Sequence, residues 1–369
     1  MNNPGCMPDT FNAQHRRLVV APMMELTDRH YRYLARLLTR HTLLYSEMLT
    51  CKAIIHGDRE YLLGKGEVDG PVVLQLGGSD VAEMAQAAAI GEQWGYDEIN
   101  MNVGCPSDRV KAGRFGACLM AEPELVRDVV AGMQAKVRVP VTVKCRLGID
   151  RDDSYDALES FTDTVVQSGC SHITVHARKA WLDGLSPKEN RTIPPLRYEY
   201  VYRLKEAYPN VHITINGGID NLNDAQMHLQ HVDGVMMGRA AYYRPAILAE
   251  ADASMFPDLP AGYEHNANLE TLSQVARDYA SYMQGWMDKG VRLSAMSRHL
   301  VSLFQEVPGA RMWRRHISEN ASKATDAMSL INGALQFLNK DFSELAKDAA
   351  ASNIPTASHP SASNIGRAN

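Results

Sequence analysis

At 369 residues, 45% hydrophobic and 22% charged, the chain is long enough for one large α/β barrel plus an appendage, and its composition is that of an ordinary globular protein, which excludes a fibrous or wholly disordered chain. The net charge of −5 argues against indiscriminate nucleic-acid binding but leaves room for a local basic surface. No apolar run reaches the roughly 18 residues of a membrane span, and residues 1–17 lack the three-part pattern of a secretory signal, so a cytoplasmic protein without membrane association is expected.

In chain order, short β-branched runs alternate with longer amphipathic stretches. Strands are predicted at 18–24, 43–49, 72–77, 98–103, 139–146, 172–177, 211–216 and 235–238, with helix-like segments at 80–94, 122–137, 155–169, 198–208 and 223–231. Eight β/α units in about 230 residues predict an α/β fold of the TIM (β/α)8 barrel type. A doubly wound sheet is the rival, but no G-x-G-x-x-G follows the first strand. The nearest look-alike, GKGEVDG at 64–70, has the wrong spacing and precedes a strand, so it reads as a loop. FPDLPAG at 256–262 breaks the pattern, and helix formers with apolar spacing continue to about 348. The predicted organisation is an N-terminal extension (1–17), a barrel (18–255), a C-terminal all-helical domain (263–347) and a tail (348–369) too small and polar to order itself.

In such a barrel the chemistry sits at the C-terminal ends of the strands. Those ends offer Pro22, Met23 and Met24, then Gln75, then Asn102, Cys105 and Pro106, then Lys144 and Arg146, His176 and Arg178, Asn216 with Gly217 and Gly218, and Gly238 with Arg239. Carboxylates are nearly absent there, which argues against metal-assisted or glycosidase chemistry. The six cysteines form no C-x-x-C pair, so neither a zinc site nor a disulfide framework is expected. The glycines at 216–218 and 238–240 fall where barrels bind a phosphate. A lysine buried in the mouth needs an anion or an electron-rich acceptor: for Lys144 a flavin ring edge would serve, and so would a Schiff base in an aldolase. His176 offers a donor to a ring carbonyl or phosphate, and Gln75 both donor and acceptor to a pyrimidine edge. Cys105 is the best catalytic candidate, because an ordinary thiol, with a pKa of about 8.5, keeps its proton at neutral pH and has it to give as a general acid. Cys118, Cys145 and Cys170 read as small core residues.

The segments VAPMMELTDRHYR (20–32), VVLQLGG (72–78), INMNVGCPSDRV (99–110), VKCRLG (143–148), ITVHAR (173–178), INGGI (215–219) and GVMMGRAA (234–241), in that order, resemble the flavin-dependent tRNA-dihydrouridine synthases. LSPKENR (185–191) and PGARMWRR (308–315) resemble the A-type subfamily, whose targets are uridines 20 and 20a of the tRNA D-loop, and the likeness runs over about 18–345. The resemblance implies FMN held by Pro22, Met23, Met24, Gln75, Lys144, His176, Asn216, Gly217, Gly218, Gly238 and Arg239. It also implies NADPH as reductant, hydride transfer from flavin N5 to uracil C6, and Cys105 as the proton donor to C5.

A loop uridine must leave its stack to reach a flavin, so the enzyme needs RNA-backbone contacts. Residues 291–317 carry five arginines against one acid, and Arg311, Arg314 and Arg315 recur at helical spacing. Lys188, Arg191 and Asn102 are weaker candidates for touching tRNA. A monomer without bound metal is expected. Rival readings are an FMN barrel acting on a small metabolite, a Schiff-base aldolase using Lys144, and a noncatalytic RNA-binding module.

Overall fold

The structure, a computed structural model, describes residues 13–66, 70–259 and 267–338. Residues 1–12 of the predicted extension, part of GKGEVDG, part of the interruption after 256 and the tail lie outside the described residues. Eight parallel strands, β1 (Leu18–Val20), β2 (Leu43–Thr50), β3 (Val72–Gly77), β4 (Glu98–Asn102), β5 (Val141–Arg146), β6 (His172–His176), β7 (His212–Asn216) and β8 (Gly234–Met237), close into a barrel in sequence order, β8 pairing with β1. The fold class is the one expected. The first strand is shorter than expected: it stops at Val20 and its last ladder contact is Ala21 N to Met237 O at 2.8 Å, because Pro22 has no N–H to continue the ladder.

The connections contain α1 (Arg29–Leu38), α2 (Cys51–His56), α3 (Arg59–Leu63), α4 (Val81–Gln93), α5 (Asp108–Ala112), α6 (Pro123–Gln134), α7 (Tyr155–Val166), α8 (Tyr198–Ala207), α9 (Leu222–His228), α10 (Arg239–Tyr243) and α11 (Ala251–Met255). Local chemistry starts many of them. Asp28, Asp80, Ser154 and Asn221 each accept a hydrogen bond from the backbone amide three residues on, and Pro123 opens α6 where its missing N–H costs nothing.

The barrel interior has two halves. Val19, Ala21, Leu43, Tyr45, Val73 and Met236, from β8 and β1–β3, form a compact apolar cluster. On β4 the two-residue strand period turns Glu98, Asn100 and Asn102 away from the layer that buries Ile99 and Met101, and a polar chain results. Arg16 donates to Glu98 at 2.9 and 2.6 Å, Thr142 Oγ1 donates to Glu98 at 2.7 Å, and Asn100 Nδ2 donates to Thr142 at 2.9 Å. Gln75 Nε2 then donates to Asn100 at 2.9 Å, and Asn102 Nδ2 to Gln75 at 2.8 Å. Residues 13–17, predicted as part of an extension, are thus a short 3-10 helix whose Arg16 closes the N-terminal end of the barrel.

The C-terminal helices are α12 (Leu269–Met287), α13 (Leu293–Ser297), α14 (Ala310–Asn320) and α15 (Ala327–Leu335). They pack on α1 through rings: Tyr33 stacks on Tyr282 at 3.8 Å, and His30 Nδ1 meets the Tyr282 hydroxyl at 2.9 Å. Asp28 fixes the seam, accepting from Arg298 at 2.8 Å and pairing with His299 at 3.1 Å. Burial works to raise the Asp28 carboxyl, but His299, the Tyr31 amide and Arg298 together hold it well below the usual carboxylate range. Among the described residues no helix is long and apolar enough to cross a membrane.

Candidate active site at the barrel mouth

Cys105 stands on the loop after β4, and its backbone is fixed from three sides. The Asn102 carboxamide oxygen accepts from the Gly104 and Cys105 amides at 3.1 and 3.0 Å, a local turn of the kind asparagine favours. Arg146 Nε donates to the Gly104 carbonyl at 2.9 Å, and the Cys105 carbonyl accepts from Ala117 N at 2.9 Å. That last contact needs Gly116: its φ is +78°, and a Cβ there would sit 2.6 Å from the Cys105 carbonyl oxygen. The sulfur, half-buried, lies 3.5 Å from Ser107 Oγ. Lys144, Arg146 and Arg191 all lie within electrostatic reach of it.

Lys144 and His176 face the same mouth. Burial pulls the Lys144 ammonium down to about 8, with the Arg146 guanidinium adding to the effect. Burial, then Arg146, Lys144, Arg178 and Arg191, hold His176 well below its ordinary value, so the ring is neutral. Neither side chain has a hydrogen bond or ion pair to another described residue. A half-buried ammonium and a half-buried imidazole, both without a protein partner among the described residues, suit a ligand that is anionic and rich in acceptors. Gly217, with φ +115°, packs flat on this histidine: a Cβ there would meet His176 Cδ2 at 2.6 Å. Asn216 donates to Met236 O at 2.7 Å and ties β7 to β8 below the glycines, while Gly238 and the exposed Arg239 follow β8. The donor set therefore fits a flavin phosphate and ring edge.

Not every predicted residue has the surroundings expected of it. Pro22, Met23 and Met24 lie on a turn, closed by Leu26 N and Thr27 N on Met23 O, and Met24 is 55% exposed at the mouth. Gln75 and Asn102, expected to meet a pyrimidine edge and the substrate, each bond protein at both ends of the carboxamide; they position the cysteine loop. Lys188 and Arg191 are exposed on the loop after β6. That loop is held by the buried Asn190, which accepts from Trp181 N and donates to the Trp181 and Leu185 carbonyls, and by Arg146, which donates to the Lys179 and Asn190 carbonyls. Arg146 thus joins the cysteine loop to the loop bearing Arg191, a link that no sequence spacing announces. Glu47 was missed as well: it accepts from Glu25 N, and Glu25 sits at φ +62°, so the turn after β1 is braced against β2. Cys145 and Cys170 are core residues as expected, and Cys118 is half-buried.

On α14, Ala310, Trp313 and Ile317 are buried and Arg311, Arg314 and Arg315 exposed. Arg315 pairs with Glu319 at 2.8 Å, and Arg298 with Asp28, which leaves Arg292, Arg311 and Arg314 as the freer of the five arginines of 291–317, the last two of them on α14.

The dihydrouridine synthase family model matches residues 19–346. The chain belongs to that family. Curated members similar to it include the tRNA-dihydrouridine(20/20a) synthases of Synechocystis sp. (52% identical, covering 86% of this chain and 93% of that one), Vibrio parahaemolyticus (51%; 88% and 98%) and Escherichia coli (50%; 92% and 96%). Within the family match lie both the thiol on its braced loop and the Lys144–His176 pair.

Proposed function

We propose that this family member reduces the C5–C6 double bond of uridines 20 and 20a in the tRNA D-loop to 5,6-dihydrouridine, using FMN and NADPH. The observation that carries the reading is the mouth itself: Cys105 held by Asn102 and Arg146, with a lysine and a neutral histidine that have no protein partner on the next two strands. Lys144, His176, Asn216, Gly217, Gly218, Gly238 and Arg239 would hold FMN, with the turn at Pro22 to Met24 beside it and Gln75 beneath. When bound, the flavin supplies the hydride that NADPH has given it.

The protein's own part is placement and a proton. Cys105 Sγ gives its proton to C5 of the uracil, and the four hydrogen bonds on its loop fix the backbone from which the thiol projects. Lys144 counters negative charge at the ring edge, and its buried surroundings strengthen that interaction relative to water. Neutral His176 donates or accepts without adding charge. Arg191, Lys188 and the α14 arginines Arg311, Arg314 and Arg315 hold the RNA backbone, so that one loop nucleotide, cheap to unstack, is presented to the thiol.

A lysine near 8 would also suit Schiff-base chemistry. The two readings differ at sight, since a flavoprotein is yellow and a Schiff-base enzyme is colourless and trapped by borohydride with its carbonyl substrate. The deciding experiment maps dihydrouridine in tRNA from cells with and without the gene. Loss at positions 20 and 20a, restored by the native gene and not by one carrying Cys105→Ala, is expected. Unchanged dihydrouridine refutes the reading.

A further inference from the structure

Several large apolar side chains are left in solvent on the segments that follow strand ends: Met24 after β1 (55% exposed), Ile193 after β6 (59%) and Tyr243 at the end of α10 after β8 (47%). Single exposed apolar residues are ordinary on a protein surface. Tyr243 differs in how it is held and in what lies beside it. Its ring stands edge-on to Tyr242 at 5.2 Å and 90°. Tyr242 is buried, contacts Tyr31 at 5.1 Å, and shares a hydrogen bond of 3.1 Å with His299, which is itself fixed on Asp28. The exposed ring is therefore mounted on a buried, hydrogen-bonded neighbour at the seam between barrel and helices. The Tyr243 hydroxyl has no hydrogen-bond partner among the described residues. Arg191 lies within electrostatic reach of Tyr243, Arg239 and Cys105 together.

A half-exposed aromatic face packed edge-on to a buried ring, with a guanidinium within electrostatic reach of both it and the thiol, has the two elements that single-stranded nucleic acid recognises: a surface for a base and a cation for its phosphate. We propose that Tyr243 is the stacking platform for a nucleobase next to the uridine that enters the mouth, with Arg191 taking a phosphate of the same strand. This rests on the tRNA reading above and adds to it a subsite for a flanking nucleotide. Charge complementarity favours RNA: Arg191, within electrostatic reach of the ring, is a cation, and the ring offers a π face rather than an apolar groove.

The test is filter binding of unmodified tRNA transcript to the flavin-loaded protein at fixed salt, alongside dihydrouridine formation. Tyr243→Ala, at a half-exposed site where truncation opens no internal cavity, should weaken tRNA binding roughly tenfold or more, in line with the usual worth of one stacked base. Tyr243→Phe, which keeps the ring and loses only the unpartnered hydroxyl, should stay within about twofold of native. Tyr243→Leu keeps apolar bulk without a ring and should resemble Ala. The flavin-to-protein ratio checks that each variant is folded. Native affinity in Tyr243→Ala, or full restoration by Leu, overturns the platform. A native protein that neither binds tRNA nor forms dihydrouridine overturns the underlying functional reading instead, so the two failures are distinguishable.

Discussion

Lys144 offers the sharpest quantitative test of flavin binding. Desolvation pulls the half-buried ammonium down to about 8 from an ordinary 10.5, with the Arg146 charge adding to the effect and no counter-ion among the described residues. At about 1.4 kcal/mol per pKa unit, the chain holds roughly 3 kcal/mol against the charged form, on the order of a hundredfold in affinity for an anionic ligand that restores it. In the flavin-free protein half of these protons are gone by about pH 8. If bound FMN favours the ammonium, binding above that pH takes up a proton, and affinity must fall as pH rises, by up to about tenfold per pH unit until the raised pKa of the complex is reached. The flavin-free fold behaves oppositely: its lysine pKa lies below the unfolded value, so the penalty is fully present below about pH 8 and is relieved as pH climbs toward about 10.4. The assay is quenching of FMN fluorescence on titration with deflavinated protein between about pH 7 and 9.5, for native and Lys144→Met. The variant should bind on the order of a hundredfold more weakly at pH 7 and lose the slope. A pH-independent native affinity, or a slope the variant shares, would show that this lysine does not face the flavin.

Cys105→Ala should keep its flavin and its tRNA affinity yet lose about 10² to 10⁴ in the rate of uridine reduction, measured in single turnover; a loss under tenfold would remove the thiol from its role as acid. Replacing Arg311 and Arg314 together should weaken tRNA binding and reduce the slope of log affinity against log salt by roughly 2, while Arg315→Ala, already paired with Glu319, should do less. An unchanged salt slope would take the row off the RNA. Arg16→Met strands the fully buried Glu98 carboxylate and should cost about 3–5 kcal/mol in denaturant unfolding, with much of it recovered by adding Glu98→Gln. A cost below about 1 kcal/mol would mean that Glu98 finds other partners.

The barrel was legible because its strands are apolar runs at regular spacing and its helices announce themselves with capping residues such as Asp80 and Ser154. The mouth residues were legible because a barrel puts its chemistry at one end. The polar chain from Arg16 through Glu98, Thr142, Asn100 and Gln75 to Asn102 was not, since it depends on which residues of four different segments share a level inside the barrel, and inter-strand stagger is not written in any one strand. For the same reason the bonds that tie Gln75 to Asn100 and Asn102, and Asn102 to the cysteine loop, could not be read beside their expected roles as ligand contacts. The count of free arginines was too generous in a similar way: Arg298 finds Asp28 from a region 270 positions away in the chain, and only the folded seam shows that pairing.

Asp28 also bears on how a nucleotide would be chosen. One carboxylate caps the first turn of α1, beside the mouth, and grips Arg298 and His299 of the helical part. Moving the helices away from α1 would break both of these pairs and the Tyr33–Tyr282 stack. If those contacts hold in solution, they set the separation between the thiol and the α14 cations, like the jaws of a set caliper. A nucleic acid clasped at one jaw would present the same nucleotide at the other whatever its base sequence, so selection by reach would come before selection by chemistry.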